Sequence, residues 1–338
     1  YLNAAFETGI ENPLDVALVA AGKQAGLDTS GFRKVDEIPY DFLRKRLSIV
    51  VAPQAGGPHL IVTKGAFANM LAICTRMAHG SDEVALDHEA RVRLDRWFSE
   101  QGAKGFRLLA LATRSVEARS AYTRDDEADM CLVGFLRFLD PPRATARLTL
   151  DRLAALGIDI KVVTGDNRHV AAHVAASVGL EAGAMLTGEQ IDALSNEALR
   201  HRAEKTTLFV EVAPQHKERI VFALQHRGRV VGFLGDGIND APALHAADVG
   251  ISVDQAVDVA RESADVVLLQ PDLDVLRQGV DDGRRTFANT LKYVGITTSA
   301  NFGNMVSMAL AAPLLPFLPL AAKQILLNNF LSDLPSVA

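Results

Sequence analysis

The chain has 338 residues, more than one average domain needs, so two or three domains are expected. Its net charge of -6 and pI near 5.9 give no broad basic field, which argues against nucleic-acid binding and suits an acidic enzyme that holds Mg²⁺. Cys74 and Cys131 lie far apart inside apolar runs, so neither a disulfide framework nor a cysteine metal site is expected, and both read as core residues. Tyr1-Leu2-Asn3 opens without a Met and without a basic-then-apolar leader pattern, and the sequence reads as one cut at both ends.

Residues 1–130 mix helical stretches with short strands such as Leu47-Ser48-Ile49-Val50-Val51 and Leu60-Ile61-Val62-Thr63, joined by turn signals such as Gly56-Gly57-Pro58. That pattern predicts an α+β domain with an antiparallel sheet. Asp125-Asp126-Glu127 reads as a solvated loop, and the apolar strand from Met130 to Leu136 opens a different regime. Residues 131–280 then alternate apolar strands with helices: Asp159 to Val163, Leu208 to Glu211, Val230 to Leu234 and Val249 to Ser252. Strands of this kind predict an α/β, doubly wound parallel sheet, whose ligands gather at the carboxyl ends of the strands. From Tyr293 to Leu320 no residue is charged, and after that only Lys323 and Asp333 are. Two membrane helices are expected, at about 293–312 and 320–338, because roughly 20 apolar residues cross a bilayer. Arg284, Arg285 and Lys292 precede the first, as on a cytoplasmic side.

Three signals lie at strand ends or helix starts. In Gly235-Asp236-Gly237-Ile238-Asn239-Asp240, glycines let the backbone turn beside a charged ligand while Asp236 and Asp240 offer hard oxygens to Mg²⁺. In Val162-Val163-Thr164-Gly165-Asp166, the Thr164 hydroxyl and the Gly165 amide can donate to phosphoryl oxygens. Lys217, opening a helix after Pro214, can bring a cation to the same phosphate. Taken singly, the Thr-Gly-Asp segment is more often just a capped strand-to-helix turn and a lone lysine more often a solvated side chain. Thr187-Gly188-Glu189 reads as a helix N-cap with a following Glu.

With Asp140-Pro141-Pro142-Arg143 added, these segments in this order resemble the P-type ATPases of the haloacid dehalogenase superfamily, over essentially every residue. The resemblance implies a partial nucleotide-binding domain at 1–130, a phosphorylation domain lacking its first segment at 131–280, and a stalk with two transmembrane helices at 281–338. It implies that Asp236 coordinates Mg²⁺, that Asn239 and Asp240 support the metal and phosphoryl geometry, and that Thr164, Gly165, Asp166 and Lys217 hold the phosphate. For ATP it implies Lys64 and Gly65 at a strand-to-helix turn, Phe42 stacked on adenine, Arg44 and Arg107 reaching phosphates, and Asp15 near the base. Glu211 stands where many relatives carry a basic residue. The family's phosphorylated aspartate, in Asp-Lys-Thr-Gly-Thr, is absent from these residues, as are the actuator domain and the other membrane helices.

For the ion, Asn301 and Asn304 share one face of the first span, and Asn329 and Asp333 one face of the second. Polar groups inside a membrane default to functional readings, and three amide oxygens with one carboxylate suit Mg²⁺ or Ca²⁺, a strongly hydrated Mg²⁺ tolerating few carboxylates because it keeps water; hydrogen bonding between helices by the asparagines is the plainer alternative. Thr286 to Tyr293, Ser299 to Asn304, Gly250 to Asp254 and Ala260 to Asp265 resemble the bacterial Mg²⁺-transporting branch. The expectation is ATP-driven Mg²⁺ transport in the cell membrane, with the first two domains cytoplasmic. A pump for Ca²⁺ or H⁺, a soluble phosphatase of the same superfamily and a non-catalytic nucleotide-binding module are the alternatives.

Overall fold

The computed structural model describes every residue except 9–12, 42, 181–182, 271, 318–320 and 338. It divides into two compact units, Tyr1–Val267 and Leu268–Ala338.

The first unit begins with helices α1 (Leu2–Phe6) and α2 (Pro13–Gln24) and strands β1 (Phe32–Asp41), β2 (Arg46–Pro53) and β3 (His59–Ala66). It continues through α3 (Phe67–Leu71), β4 (Cys74–His79), β5 (Asp82–Ala85), α4 (His88–Ala103), β6 (Phe106–Val116) and β7 (Met130–Leu139). The seven strands form one sheet in the order β1-β2-β3-β6-β7-β4-β5. All of its described pairings are antiparallel except that of β4 with β7. Alternation along β2 explains its place in the centre of the domain. Leu47, Ile49 and Val51 pack with Leu2 and Phe6 of α1, whereas Val50 joins the opposite core with Phe67, Met70, Leu86 and Ala90. Burying each such side chain contributes roughly 1.5–3 kcal/mol. Cys74 and Cys131 are both buried free thiols.

Two expectations change here. The strand beginning at Met130 belongs to this antiparallel sheet, paired with β6 from Phe106↔Leu139 onward, so the sheet runs up to Asp140-Pro141-Pro142. Glu127 is no part of a solvated loop. A short 3-10 turn over Arg124–Asp126 delivers it inward, where it is only 2 % exposed.

The unit continues with α5 (Ala146–Ala155), β8 (Val162–Val163), α6 (Arg168–Ser177), β9 (Ala184–Thr187), α7 (Gly188–Ala193), α8 (Asn196–Lys205), β10 (Thr206–Val210) and α9 (Pro214–Gln225). After these come β11 (Gly232–Leu234), α10 (Ala241–Ala246), β12 (Val249–Val253), α11 (Asp258–Glu262) and β13 (Val266–Leu268). The strands form two three-stranded sheets, β8-β10-β9 and β11-β12-β13, with parallel pairing of β10 to β8 and β9 and of β11 to β12. The first is covered on both faces. Leu208 and Val210 meet Ala171 and Ala175 of α6, while Phe209 between them meets Leu199 and Ala203 of α8 and Ile220 of α9. That double covering is why β10 reads as a continuous apolar run.

The second unit contains α12 (Leu273–Ala311) and α13 (Ala322–Val337). Asp272 caps α12 by accepting from the Asp274 amide. The two expected membrane spans are corrected: among the described residues, no helix is long and apolar enough to cross a membrane. In α12 the uncharged half is diluted by Thr297, Thr298, Ser299, Asn301, Asn304 and Ser307. The 16 residues of α13 rise about 24 Å, short of the roughly 30 Å hydrocarbon core.

Candidate functional site

The turn after β8 is laced to the segment after β10. Thr164 donates its amide to the Phe209 carbonyl (2.9 Å), Val212 donates to Thr164 O (3.2 Å), and Glu211 donates to Asp166 O (3.0 Å). Thr164 Oγ1 accepts from the Asp166 amide at 3.0 Å, which closes the turn. Gly165 lies where a Cβ would stand 3.4 Å from the Val212 carbonyl, so the two segments run in contact. Asp166 Oδ2 accepts from Arg107 Nη2 (2.7 Å), and Arg107 Nη1 reaches Asp140 Oδ2 (3.0 Å). Burial alone would lower the Arg107 guanidinium, but Asp166 and then Asp140 hold it above its ordinary value. Arg107 therefore ties the end of the antiparallel sheet to the Thr-Gly-Asp turn.

Glu211 adopts a left-handed backbone, φ 56°, uncommon for a residue with a side chain and costing about 1–2 kcal/mol. Gly188 accommodates it, because a Cβ there would sit 2.5 Å from the Glu211 carbonyl oxygen. The Thr187-Gly188-Glu189 segment is a capped helix start: Thr187 Oγ1 accepts from the Gln190 amide (3.2 Å) and Gln190 Oε1 accepts from the Thr187 amide (3.1 Å).

Lys217 lies in the first turn of α9, where Pro214 sets the helix start. His216 caps that turn, its Nδ1 accepting from the Ala213 amide at 3.0 Å. The ring proton therefore resides on Nε2, which donates to Asp192 Oδ1 at 2.8 Å. Lys217 Nζ donates to Asp240 Oδ1 at 2.6 Å, and Asp240 Oδ2 accepts from the Gly237 amide at 3.1 Å. Gly235 is required: a Cβ there would meet Asp240 Cβ at 2.5 Å. Asp236 is exposed in the same loop and Asn239 is half-buried in the Ile238–Asp240 turn. Lys217 and Asp240 are thus neighbours, Asp236 lies in the same loop, and the segment 211–217 connects Lys217 to the backbone bonded to Thr164 and Asp166. Asp236 and Asp240 are the residues here that could hold a divalent cation. Among the described residues, no group of three or more His, Cys, Asp or Glu side chains could hold a metal ion.

A second cluster lies in the antiparallel domain. Lys64, at the end of β3, bonds both Glu7 Oε2 (2.5 Å) and Asp15 Oδ1, and Asp15 Oδ2 is buried with no hydrogen-bond partner among the described residues. Burial raises the Glu7 carboxyl above its ordinary value, although Lys64 acts against it. Gly65 has no room for a side chain: a Cβ would lie 2.5 Å from Arg46 Cβ and 2.7 Å from the Lys45 carbonyl oxygen. Phe42 lies outside the described residues. Arg44 turns inward, donating from Nη1 to Glu127 Oε2 (2.5 Å) and from Nη2 to Pro39 O (2.7 Å). Glu127 also accepts from Arg46 Nε (2.8 Å) and Ser48 Oγ (2.7 Å), and its side chain is 0 % exposed. The sequence reading missed Glu7, Glu127, His216 and Arg168. The alternation of Arg46 and Ser48 at the start of β2 was the available sign that something polar waits on that face.

In the second unit, Asn301 is exposed and Asn304 half-buried on α12, and Asn329 is half-buried on α13. Asp333 lies on α13, but its side chain is outside the described set.

Comparison with known proteins adds the following. Residues 5–145 match the family model for the P-type ATPase cytoplasmic domain N. The magnesium-transporting ATPase, P-type 1, of Salmonella typhimurium strain LT2 is 48 % identical over 341 residues, covering 100 % of this chain and 38 % of that protein. The protein of the same description from Escherichia coli K12 is 46 % identical over 341 residues, with the same coverage. A calcium-transporting ATPase of Bacillus subtilis is 30 % identical over 336 residues, 97 % of this chain and 38 % of its own length. The chain thus spans 38 % of the length of these curated relatives.

Proposed function

Because the chain belongs to the P-type ATPase family, we propose that it supplies the nucleotide-binding and phosphorylation parts of an ATP-driven Mg²⁺ pump. The observation that carries this reading is the Lys217–Asp240 pair at 2.6 Å, beside Asp236 and joined through the segment 211–217 to Thr164 and Asp166. A lysine and two strand-end carboxylates are what a phosphoryl transfer to an aspartate requires. Lys217 neutralises charge on the moving phosphoryl group, and Asp236 with Asp240 would hold Mg²⁺, which is commonly bound by one or two carboxylates plus phosphate oxygens. When bound, Mg²⁺ would supply the main counter-charge to the phosphates. Thr164 and the Gly165 amide orient the phosphoryl oxygens, and the parallel-sheet part is read as haloacid dehalogenase-like.

In the antiparallel domain Lys64, Gly65, Asp15 and Phe42 form the ATP end of the path. Arg44 supports that end from inside, through Glu127. Arg107, half-exposed and already shared between two carboxylates, is available to the nucleotide phosphates. The phosphoryl-accepting aspartate is not among these residues, so the cycle belongs to the full-length protein together with its actuator domain and other membrane helices. We place that protein in the cell membrane as a multi-pass pump with these domains cytoplasmic. The support is the family and not a span in α12 or α13. Asn301, Asn304, Asn329 and Asp333 are the proposed ligands of the transported ion. Mg²⁺ is preferred over Ca²⁺ because identity to magnesium-transporting relatives is 40–48 %, against 30 % to the calcium-transporting one of Bacillus subtilis.

The test is acid-stable phosphoenzyme formed by the full-length protein from γ-labelled ATP. Lys217→Met and Asp240→Asn are expected to lower the rate about 10²–10³-fold. Asp333→Asn is expected to abolish Mg²⁺ uptake while ATP binding persists. Wild-type rates in the first two variants would refute the phosphoryl site, and unchanged uptake in the third would refute the ion ligand.

A further inference from the structure

Two carboxylates border the Thr164-Gly165-Asp166 turn, and each holds an arginine. Asp166 takes Arg107. Glu211, whose amide is bonded to Asp166 O, takes Arg168 at the start of α6. The second pair is built more tightly: Glu211 Oε1 accepts from Arg168 Nε (3.0 Å) and from the Arg168 backbone amide (3.2 Å), and Oε2 accepts from Nη2 (2.9 Å). Such fork-to-fork pairing fixes the guanidinium plane. It uses Nε and Nη2, and among the described residues nothing bonds Nη1, on a side chain that is 50 % exposed.

An ordinary surface ion pair would not need the backbone it is given. Glu211 is in the left-handed region, and Gly188 is kept bare so that the Glu211 carbonyl can fit. Strain of this kind persists where the surroundings over-determine it, and it clusters where ligands are held. The place is also right, because ligands collect at the carboxyl ends of parallel strands and Glu211 directly follows β10. A bare carboxylate there would repel phosphate; pairing with Arg168 offsets that repulsion and leaves the Nη1 group of a half-exposed, fixed guanidinium unbonded among the described residues. The charges of the pair sum to zero and the Glu189 carboxylate also acts on Arg168, so its effect is directional and not a long-range pull.

We infer that Arg168, held by Glu211, is a specificity-determining contact for the phosphates that stay on the nucleotide when the terminal phosphoryl group leaves. This rests on the proposed phosphoryl-transfer reading. Among the described residues, neither Arg168 nor Arg107 bonds Lys217 or Asp240, so the two arginines serve a part of the ligand distinct from the reacting group.

The test uses the full-length protein and two phosphoryl donors, ATP and acetyl phosphate, the second having no nucleotide. Arg168→Ala is expected to raise KM for ATP about tenfold, equivalent to 1.4 kcal/mol, with kcat within about twofold and KM for acetyl phosphate unchanged. Arg168→Lys, which keeps charge but loses the fork, should fall between. Glu211→Gln should raise KM for ATP less, and the double variant should match Arg168→Ala alone. An unchanged KM for ATP overturns the inference, and so does an equal rise for both donors, which would mark a general loss of structure. Absence of phosphoenzyme in the unaltered protein would instead defeat the phosphoryl-transfer reading itself.

Discussion

Removing the Glu127 carboxylate should be one of the most damaging single changes in the antiparallel domain. The side chain is fully buried and accepts from Arg44, Arg46 and Ser48, at separations of 83, 81 and 79 residues along the chain. Both guanidinium groups are themselves only 13 % exposed. Glu127→Ala therefore leaves Arg46, nearly cut off from water, without a carboxylate, and Arg44 with only Asp41 at 3.6 Å from its Nε, a situation that costs about 3–5 kcal/mol. Glu127→Gln keeps the shape and one acceptor oxygen, so it should cost roughly half of that. For a domain of this size, each kcal/mol moves Tm by about 2–4 °C, giving a fall of roughly 6–20 °C for the alanine variant. The assay is thermal unfolding of the chain followed by far-UV circular dichroism, with urea unfolding at 25 °C as the check on free energy. A loss under about 1 kcal/mol for Glu127→Ala, or no difference between the Ala and Gln variants, would show that Glu127 is not the buried partner of the two arginines.

Gly65→Ala forces a methyl into the 2.5 Å approach of Arg46 Cβ, and a cost of about 1–3 kcal/mol with weakened ATP binding is expected; unchanged urea midpoint and ATP affinity would contradict the contact. Burial raises the Glu7 carboxyl above its ordinary 4.5, so its contribution to stability is present below that pH and lost as pH rises through the higher folded value. The stability of the natural chain minus that of Glu7→Gln should accordingly fall as pH rises above about 4.5, and a difference that grows with pH would reverse the sign assigned here. Burial pushes the Cys74 thiol up to about 12 and raises Cys131, so neither should react with a thiol reagent at pH 8 until the chain unfolds; labelling of the native protein on the same timescale as free cysteine would disprove their burial.

The parallel strands were legible because their periodicity is local. Val162-Val163, Leu208 to Val210 and Val249 to Ser252 all lie in observed strands, and Lys217 and Asp240 meet as side chains flanking those strands would. What escaped was decided at a distance. Met130–Leu139 has the apolar run of a buried parallel strand, yet only its short pairing with β4 is parallel and its longer ladder with β6 is antiparallel, a choice made by which neighbours are available. Glu127 sits in an acidic stretch whose other members are exposed or half-buried, and only the fold brings Arg44 and Arg46 to it. The charge gap after Tyr293 suggested membrane spans, but hydroxyl and amide side chains count against apolarity as charges do, only less. Arg168 carried no signal, since an arginine at a helix start looks like any solvated residue until its bidentate partner is seen.

Arg107 grips Asp140 with one arm and Asp166 with the other. Because the two grips are independent, one can let go while the second still holds, so separating the sheet end from the turn proceeds as two small steps instead of one large one. On the proposed reading, a phosphate that took over the released arm would keep that cation paired throughout the hand-off.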